Sequence, residues 1–240
     1  EIMPSLVGSE MCIRDRAEYN DPRLSRAFIT KQGASGKEQA PGTADNAVYA
    51  PNGSPEQGTS KYGTSLFMYS ISAPTLLLSY HELKFLEAEA LCRLGRDAKS
   101  ALKDAVVAGL LNAENSFSVS RKELGKTLIN PASSITDTEA ESYFDNTIEA
   151  KYTAEPLKTT MIQKYFALWG ASGEATESYN DVRRMKGLGE NFIELKNPNS
   201  FPLRCPYGNS DTTTNAEVKA AYGNGQYVYS ENVWWAGGSR

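Results

Sequence analysis

The sequence predicts an all-α fold with long loops and an irregular C-terminal tail. Three observations carry this. Between residues 75 and 187 the apolar residues recur mostly at helical spacing. The periodic stretches are separated by short junctions that carry Gly, Pro or capping residues. The flanking stretches, 30–64 and 187 onward, hold neither the helical period nor a long strand alternation.

The elements follow in order. Residues 30–64 hold Gly33, Gly36, Gly42, Gly53, Gly58 and Gly63 among prolines and serines, and read as a long surface loop. Tyr49 and Tyr62 stand out in it, because mobile linkers are poor in aromatics. Residues 65–71 (SLFMYSI) are short and apolar, an extended segment. A helix is expected from about Thr75, just after Pro74, to Leu94, with Gly95 as its C-terminal stop. It is apolar on most of its circumference, the mark of a buried helix. The next helix begins near Asp97 and places Ala98, Ala101, Leu102, Ala105 and Val106 on one face. A short link between two helices makes an antiparallel pair.

Thr136 opens a further helix to about Tyr152, with Glu139 three residues on as the partner of a capping box. Pro156 introduces a helix over 157–169, and residues 174–186 form the last, ending at Gly187. Gly187-Leu188-Gly189 is too short for a phosphate-binding loop and reads as a cap and turn. Beyond it the chain is irregular. Trp234 and Trp235 are expected to pin this tail to the body. Successive helix pairs suggest a tetratricopeptide-like scaffold, although no clean internal repeat is present.

Composition excludes several function classes. The chain has 240 residues, 40% hydrophobic and 22% charged, with a net charge of -4. An acidic surface disfavours nucleic acid as a partner. No stretch reaches the roughly 18 apolar residues of a membrane helix. Cys12, Cys92 and Cys205 form no paired motif, and the single histidine, His81, argues against a metal site. No cofactor is implied.

The run Leu6-Val7-Gly8-Ser9-Glu10-Met11-Cys12-Ile13-Arg14-Asp15-Arg16 looks like the translation of a transposon-based sequencing adapter. Residues 1–16 are therefore expected to lie outside the fold, Cys12 to be non-native, and any signal peptide to have been lost with the true N-terminus. Residues 17–240 are then one part of a single domain.

Several blocks carry a family resemblance. Residues 78–90 (LSYHELKFLEAEA) are similar to a YxExxFxxAEA helix of SusD/RagB-like proteins. Ile162-Gln163-Lys164-Tyr165, then Glu177-Ser178-Tyr179-Asn180-Asp181-Val182-Arg183-Arg184, resembles that family's later helices. Residues 201–207 (FPLRCPY) with Asn215, and Asp21-Pro22-Arg23 near the start, look like further family elements in family order, although Cys205 and the shifted prolines depart from the pattern. The branch described as starch-binding and associating with the outer membrane is the most similar. The resemblance implies the C-terminal part of a cell-surface lipoprotein of the outer membrane, anchored through an N-terminal lipid that this chain lacks. It implies a ligand that is an oligosaccharide or polysaccharide, a SusC-like TonB-dependent transporter as partner, and no catalysis.

The chemistry is weighed on the residues themselves. Glu82 and Glu89 lie seven apart, about 10 Å along a helix, a spacing that a two-carboxylate glycosidase could use. They sit among Leu83, Phe85 and Leu86, where carboxylates need partners. Arg183 and Arg184 are available as structural ion-pair partners, and replacing either arginine by Met is then expected to destabilise strongly. His81 lacks a nucleophile partner nearby and reads as a packing residue. Sugars pack C–H faces on aromatic rings and bond through hydroxyls, so Tyr49, Tyr62, Tyr69 and Trp169 are the candidate glycan contacts. For Trp169, which closes a helix before a turn, the core-anchor reading is the favoured one. Two other readings stay open, a helical protein-interaction scaffold without sugar affinity and a glycoside hydrolase fragment.

Overall fold

The computed structural model of the chain describes residues 16–32, 38–41, 64–66, 75–128, 130–170, 174–193, 201–222 and 226–238. They fall into two compact units, one within residues 3–196 and one formed mainly by 197–240.

The first unit is an all-α scaffold with a small sheet appended. A short helix, α1 (Leu24–Ala27), leads into β1 (Phe28–Gln32). β1 pairs antiparallel with β2 (Glu38–Pro41) on one side and β3 (Thr64–Ser65) on the other. Ile29 faces Pro41 and Gln32 faces Glu38 in the register, and Phe28 faces Ser65. The strands interrupt what the glycine-rich composition predicts to be loop. Tyr49, Tyr62 and Tyr69 lie outside the described residues.

The helical body follows. α2 spans Tyr80–Arg93, five residues later than the sequence pattern suggests. Ser79 sets the start: its hydroxyl accepts the Glu82 amide at 3.1 Å, an N-cap that a proline further upstream cannot supply. The stop is as expected. Gly95 takes φ +66, the Arg96 amide donates to the Leu91 carbonyl and the Gly95 amide to that of Cys92, closing a Schellman turn. α2 is buried on one side only, through His81, Glu82, Phe85, Ala88 and Glu89. Its other side, with Tyr80, Leu83 and Leu86, is exposed. The expectation of burial around most of the circumference does not hold in this chain.

α3 (Lys99–Leu124) buries the predicted face of Ala101, Leu102, Ala105 and Val106, and continues through Leu110, Ala113 and Phe117. Gly109 lies where α3 meets the helix that opens at Pro156. A Cβ there would come within 3.1 Å of the Ala167 methyl, a tighter contact than most side chains make, so glycine eases the close approach.

Thr136 caps α4 (Asp137–Tyr143), accepting the Glu139 amide at 3.2 Å. A π turn over Phe144–Ile148 carries the chain into α5 (Glu149–Ala154). The buried Phe144 and Ile148 on this turn, with Tyr143 just before it, pack into the core. Glu155 leaves the helical conformation, as a residue before proline tends to, and α6 (Pro156–Leu168) begins at once. α6 is the central helix and is buried nearly all round. α2, α3, α5 and α7 (Ala175–Gly187) all pack against it.

Two buried guanidiniums hold the N-terminal segment onto the end of α6. Arg16 Nη2 and Arg23 Nη1 both donate to the Phe166 carbonyl, at 2.8 and 3.1 Å. That carbonyl is one of the last-turn acceptors left without an intrahelical partner, at the negative end of the helix dipole. Arg16, the boundary residue of the adapter-like run, is thus fully buried.

The second unit carries two short helices within the stretch read as irregular, α8 (Asn209–Thr214) and α9 (Ala216–Tyr222). Asn215 separates them and its side chain accepts the Glu217 and Val218 amides, a cap hidden inside an Asn/Thr-rich run. Trp234 and Trp235 are 74% and 61% exposed. Among the described residues no helix is long and apolar enough to cross a membrane, and no cluster of three or more His, Cys, Asp or Glu could hold a metal ion.

Candidate functional site

The break at Glu155 opens a cleft. α5 and α6 diverge there, and the segment around Tyr19 closes one wall while Phe192 and Ile193 close another. The cavity measures about 370 Å³, toward the small end of the roughly 300–1,000 Å³ typical of small-molecule sites. α6 supplies the floor at helical spacing, with Lys158, Thr159, Ile162, Tyr165 and Phe166 on the facing side.

Tyr165 and Phe166 are buried, whereas Tyr19, Phe192 and Ile193 are half-buried. Tyr19 stands edge-on to Phe166, with centroids 5.4 Å apart and planes at 88°. The Lys151 ammonium sits 4.3 Å from the Tyr19 ring centre. Lys158 bonds Glu155 at 2.8 Å on the rim. Aromatic walls with a ring of charged and hydroxyl groups suit a ligand with apolar C–H faces and many hydroxyls. The sequence shows the pieces of this cleft but not their convergence, since Tyr19, Tyr165 and Phe192 come from three distant segments.

Trp169 is half-buried and its ring is engaged by packing. It stacks on Phe28 at 4.9 Å, and the Arg16 guanidinium lies 4.4 Å from its centre.

The carboxylates and arginines of α2 and α7 form a chain of alternating charge. Arg93 bonds Glu190 at 2.8 and 3.0 Å and Glu89 at 2.7 Å. Glu89 is also held by both terminal nitrogens of Arg184, one at 2.8 Å. Arg184 bonds Asp181 at 2.8 Å, and Asp181 receives the buried Lys164 ammonium at 2.8 Å. Burial works against the Glu89 anion, but the Arg184 and Arg93 guanidiniums outweigh it and hold the carboxyl below its usual range. The Arg183 guanidinium lies over the Tyr179 ring at 5.3 Å.

Among the described residues Glu82 meets no arginine. It is 6% exposed, in a polar cluster with His81, Lys164 and Glu174, and Glu177 is also close enough to act on its charge. Burial and the Glu174 carboxylate push its carboxyl up to about 7. His81, 3.6 Å from Glu174 and 3.2 Å from the Ser79 hydroxyl, is lowered by burial and so is neutral at pH 7. Neither Glu82 nor Glu89 lines the cleft. A glycosidase needs carboxyls that flank a sugar in an open site, and Glu89 is instead locked between two guanidiniums.

Glu82 gives a pH signature. Its folded value lies above its ordinary 4.5, so its contribution is full below about 4.5 and is lost as pH rises through about 7. Glu82→Gln, which keeps the neutral shape, is expected to match the wild type in urea melts at pH 4.5 and to exceed it by about 1–3 kcal/mol at pH 8. Parallel pH profiles for the two proteins would refute the assignment.

The family described as starch-binding and associating with the outer membrane matches residues 6–207. The chain superposes on a SusD/RagB family protein from Bacteroides thetaiotaomicron with a TM-score of 0.87 at 64% identity, covering 96% of this chain and 50% of that one. A second solved structure, from Bacteroides vulgatus, is a candidate outer membrane protein with a suggested role in nutrient binding. It shares the fold at 21% identity and a TM-score of 0.60, covering 97% of this chain and 54% of that one. The chain therefore spans about half the length of each. Among curated proteins none matches.

Proposed function

The chain belongs to the SusD-like family, and on that premise we propose that it is the glycan-binding part of an outer-membrane nutrient-import complex. The family match over residues 6–207 carries this reading. The cleft beneath Tyr19 and Phe192 supports it, because it offers aromatic walls and a polar rim of the kind a sugar needs.

In this reading an oligosaccharide lays its C–H faces against Tyr19 and Phe192. Its hydroxyls bond to Lys158, Glu155 and Thr159. The site binds without cutting. The glycan would pass to a SusC-like TonB-dependent transporter, with the whole protein held at the cell surface by a lipid anchor outside this span. Tyr49, Tyr62 and Tyr69 remain further glycan contacts of the proposal.

Calorimetric titration with a panel of starch, host and plant oligosaccharides tests it. Tyr19→Ala and Phe192→Ala are each expected to weaken the best ligand at least about tenfold, or roughly 1.4 kcal/mol. Tyr49→Ala and Tyr62→Ala, measured alongside, divide the affinity between cleft and loop. A folded protein that binds no sugar in the panel would instead favour a scaffold for protein partners. Release of new reducing ends would favour a hydrolase.

A further inference from the structure

Lys151 brings an unmatched positive charge to the cleft. It stands on α5 and is half-buried, and among the described residues no carboxylate pairs with its ammonium. Its neighbour is the Tyr19 ring, whose centre lies 4.3 Å from Nζ. A ring at that distance attracts the ammonium through its quadrupole and leaves the charge uncompensated. The other charges of the lining are accounted for. Lys158 bonds Glu155 at 2.8 Å. Glu18 is exposed, where water and salt screen it.

A half-buried cation has given up part of its hydration, so an anion placed beside it gains more than it would at an open surface. A neutral sugar offers this ammonium only hydroxyls. A carboxylate or sulfate on the same sugar would supply a charge-assisted hydrogen bond, about twice as strong as a neutral one. We infer that the cleft selects acidic glycans, with Lys151 reading the negative group and Tyr19 holding the ammonium in place. The ligand is then an oligosaccharide with an acid on the unit that lies beside Tyr19, either a uronic acid or a sulfate ester. The inference rests on the glycan reading of the cleft and adds the charge of the ligand to it.

Titration with matched pairs tests it. The pairs are oligogalacturonate against its methyl ester, a hyaluronate fragment against its methyl ester, and a sulfated galactose oligosaccharide against its desulfated parent. In at least one pair the acidic member is expected to bind at least about tenfold more tightly at low salt. That advantage should shrink as sodium chloride is added. The pairs also tell a uronate from a sulfate. Lys151→Gln is expected to abolish the preference, so that both members of the pair bind alike, and Lys151→Arg to retain it. The melting temperature of Lys151→Gln should match that of the parent, because no ion pair is broken.

Equal affinity within every pair, beside a neutral sugar that binds, overturns the inference and leaves the glycan reading standing. An acid preference that survives Lys151→Gln also overturns it, since the acid would then sit by another cation. A Lys151→Gln protein that melts lower and binds both members more weakly would make Lys151 a packing residue. No binding to any sugar, neutral or acidic, would remove the glycan reading and this inference together.

Discussion

Arg23→Met is expected to lower stability by about 3–5 kcal/mol, the usual cost of stranding a buried charge. Asp21 and Arg23 are both buried, and Arg23 Nε lies 2.9 Å from the Asp21 carboxylate. The same guanidinium bonds the Phe166 carbonyl, so one substitution removes an ion pair and a helix-end contact together. Burial raises the Asp21 carboxyl, but the Arg23 charge and hydrogen bonds outweigh it and the net shift is downward. Its contribution is therefore present above its ordinary value of 3.8 and is lost as pH falls below it. Without Arg23 the carboxyl keeps its burial, opposed by the Arg16 charge alone, and takes up a proton more readily. The deficit of Arg23→Met against the parent should thus shrink as pH falls toward 3. Urea melts at pH 7 and pH 3.5 check both parts. A variant within 1 kcal/mol of the parent at pH 7 would mean that water reaches Asp21.

The double variant Arg93→Met/Arg184→Met is expected to cost about 3–5 kcal/mol, and each single variant clearly less than half of that. Glu89 is buried and has two arginine partners. Losing one leaves the other in place, whereas losing both strands the carboxylate. The sequence alone suggests a strong effect from a single arginine, because it cannot show that Arg93, four residues along the same helix, shares the load. A double-mutant cycle in denaturant measures the non-additivity. Additive single effects would place Glu89 in contact with water and refute the shared clamp.

Much of the fold is legible in the residues. The helices after Ser79 follow from period and capping: Gly95, Thr136 and Pro156 each stop or start a helix where their chemistry dictates. The errors have equally local causes. A run of leucines hides the true start of α2, because apolar residues upstream of Ser79 continue the pattern without a cap. The small sheet lies in a glycine-rich stretch where propensity is weak and pairing partners are distant in sequence. α8 and α9 depend on the Asn215 cap inside a polar run that has no apolar period.

The site was less legible than the fold. Its residues come from the Tyr19 turn, from α5 and α6, and from 192–193, and only tertiary packing brings them together. Trp169 attracts attention as an aromatic beside a turn, and its half-buried ring stacks on Phe28 with the Arg16 guanidinium beside it. The two-carboxylate spacing of Glu82 and Glu89 is real along the helix. Their surroundings separate them: one is an anion locked by guanidiniums, the other a buried acid beside Glu174.

The most direct measurement is a crystal structure of the protein soaked with the oligosaccharide that binds best in titration. Density is expected for an intact oligosaccharide in the cleft, with a ring against Tyr19 or Phe192 and hydroxyls toward Lys158 and Glu155. An empty cleft with the sugar bound elsewhere, or a sugar found cleaved, would contradict this expectation.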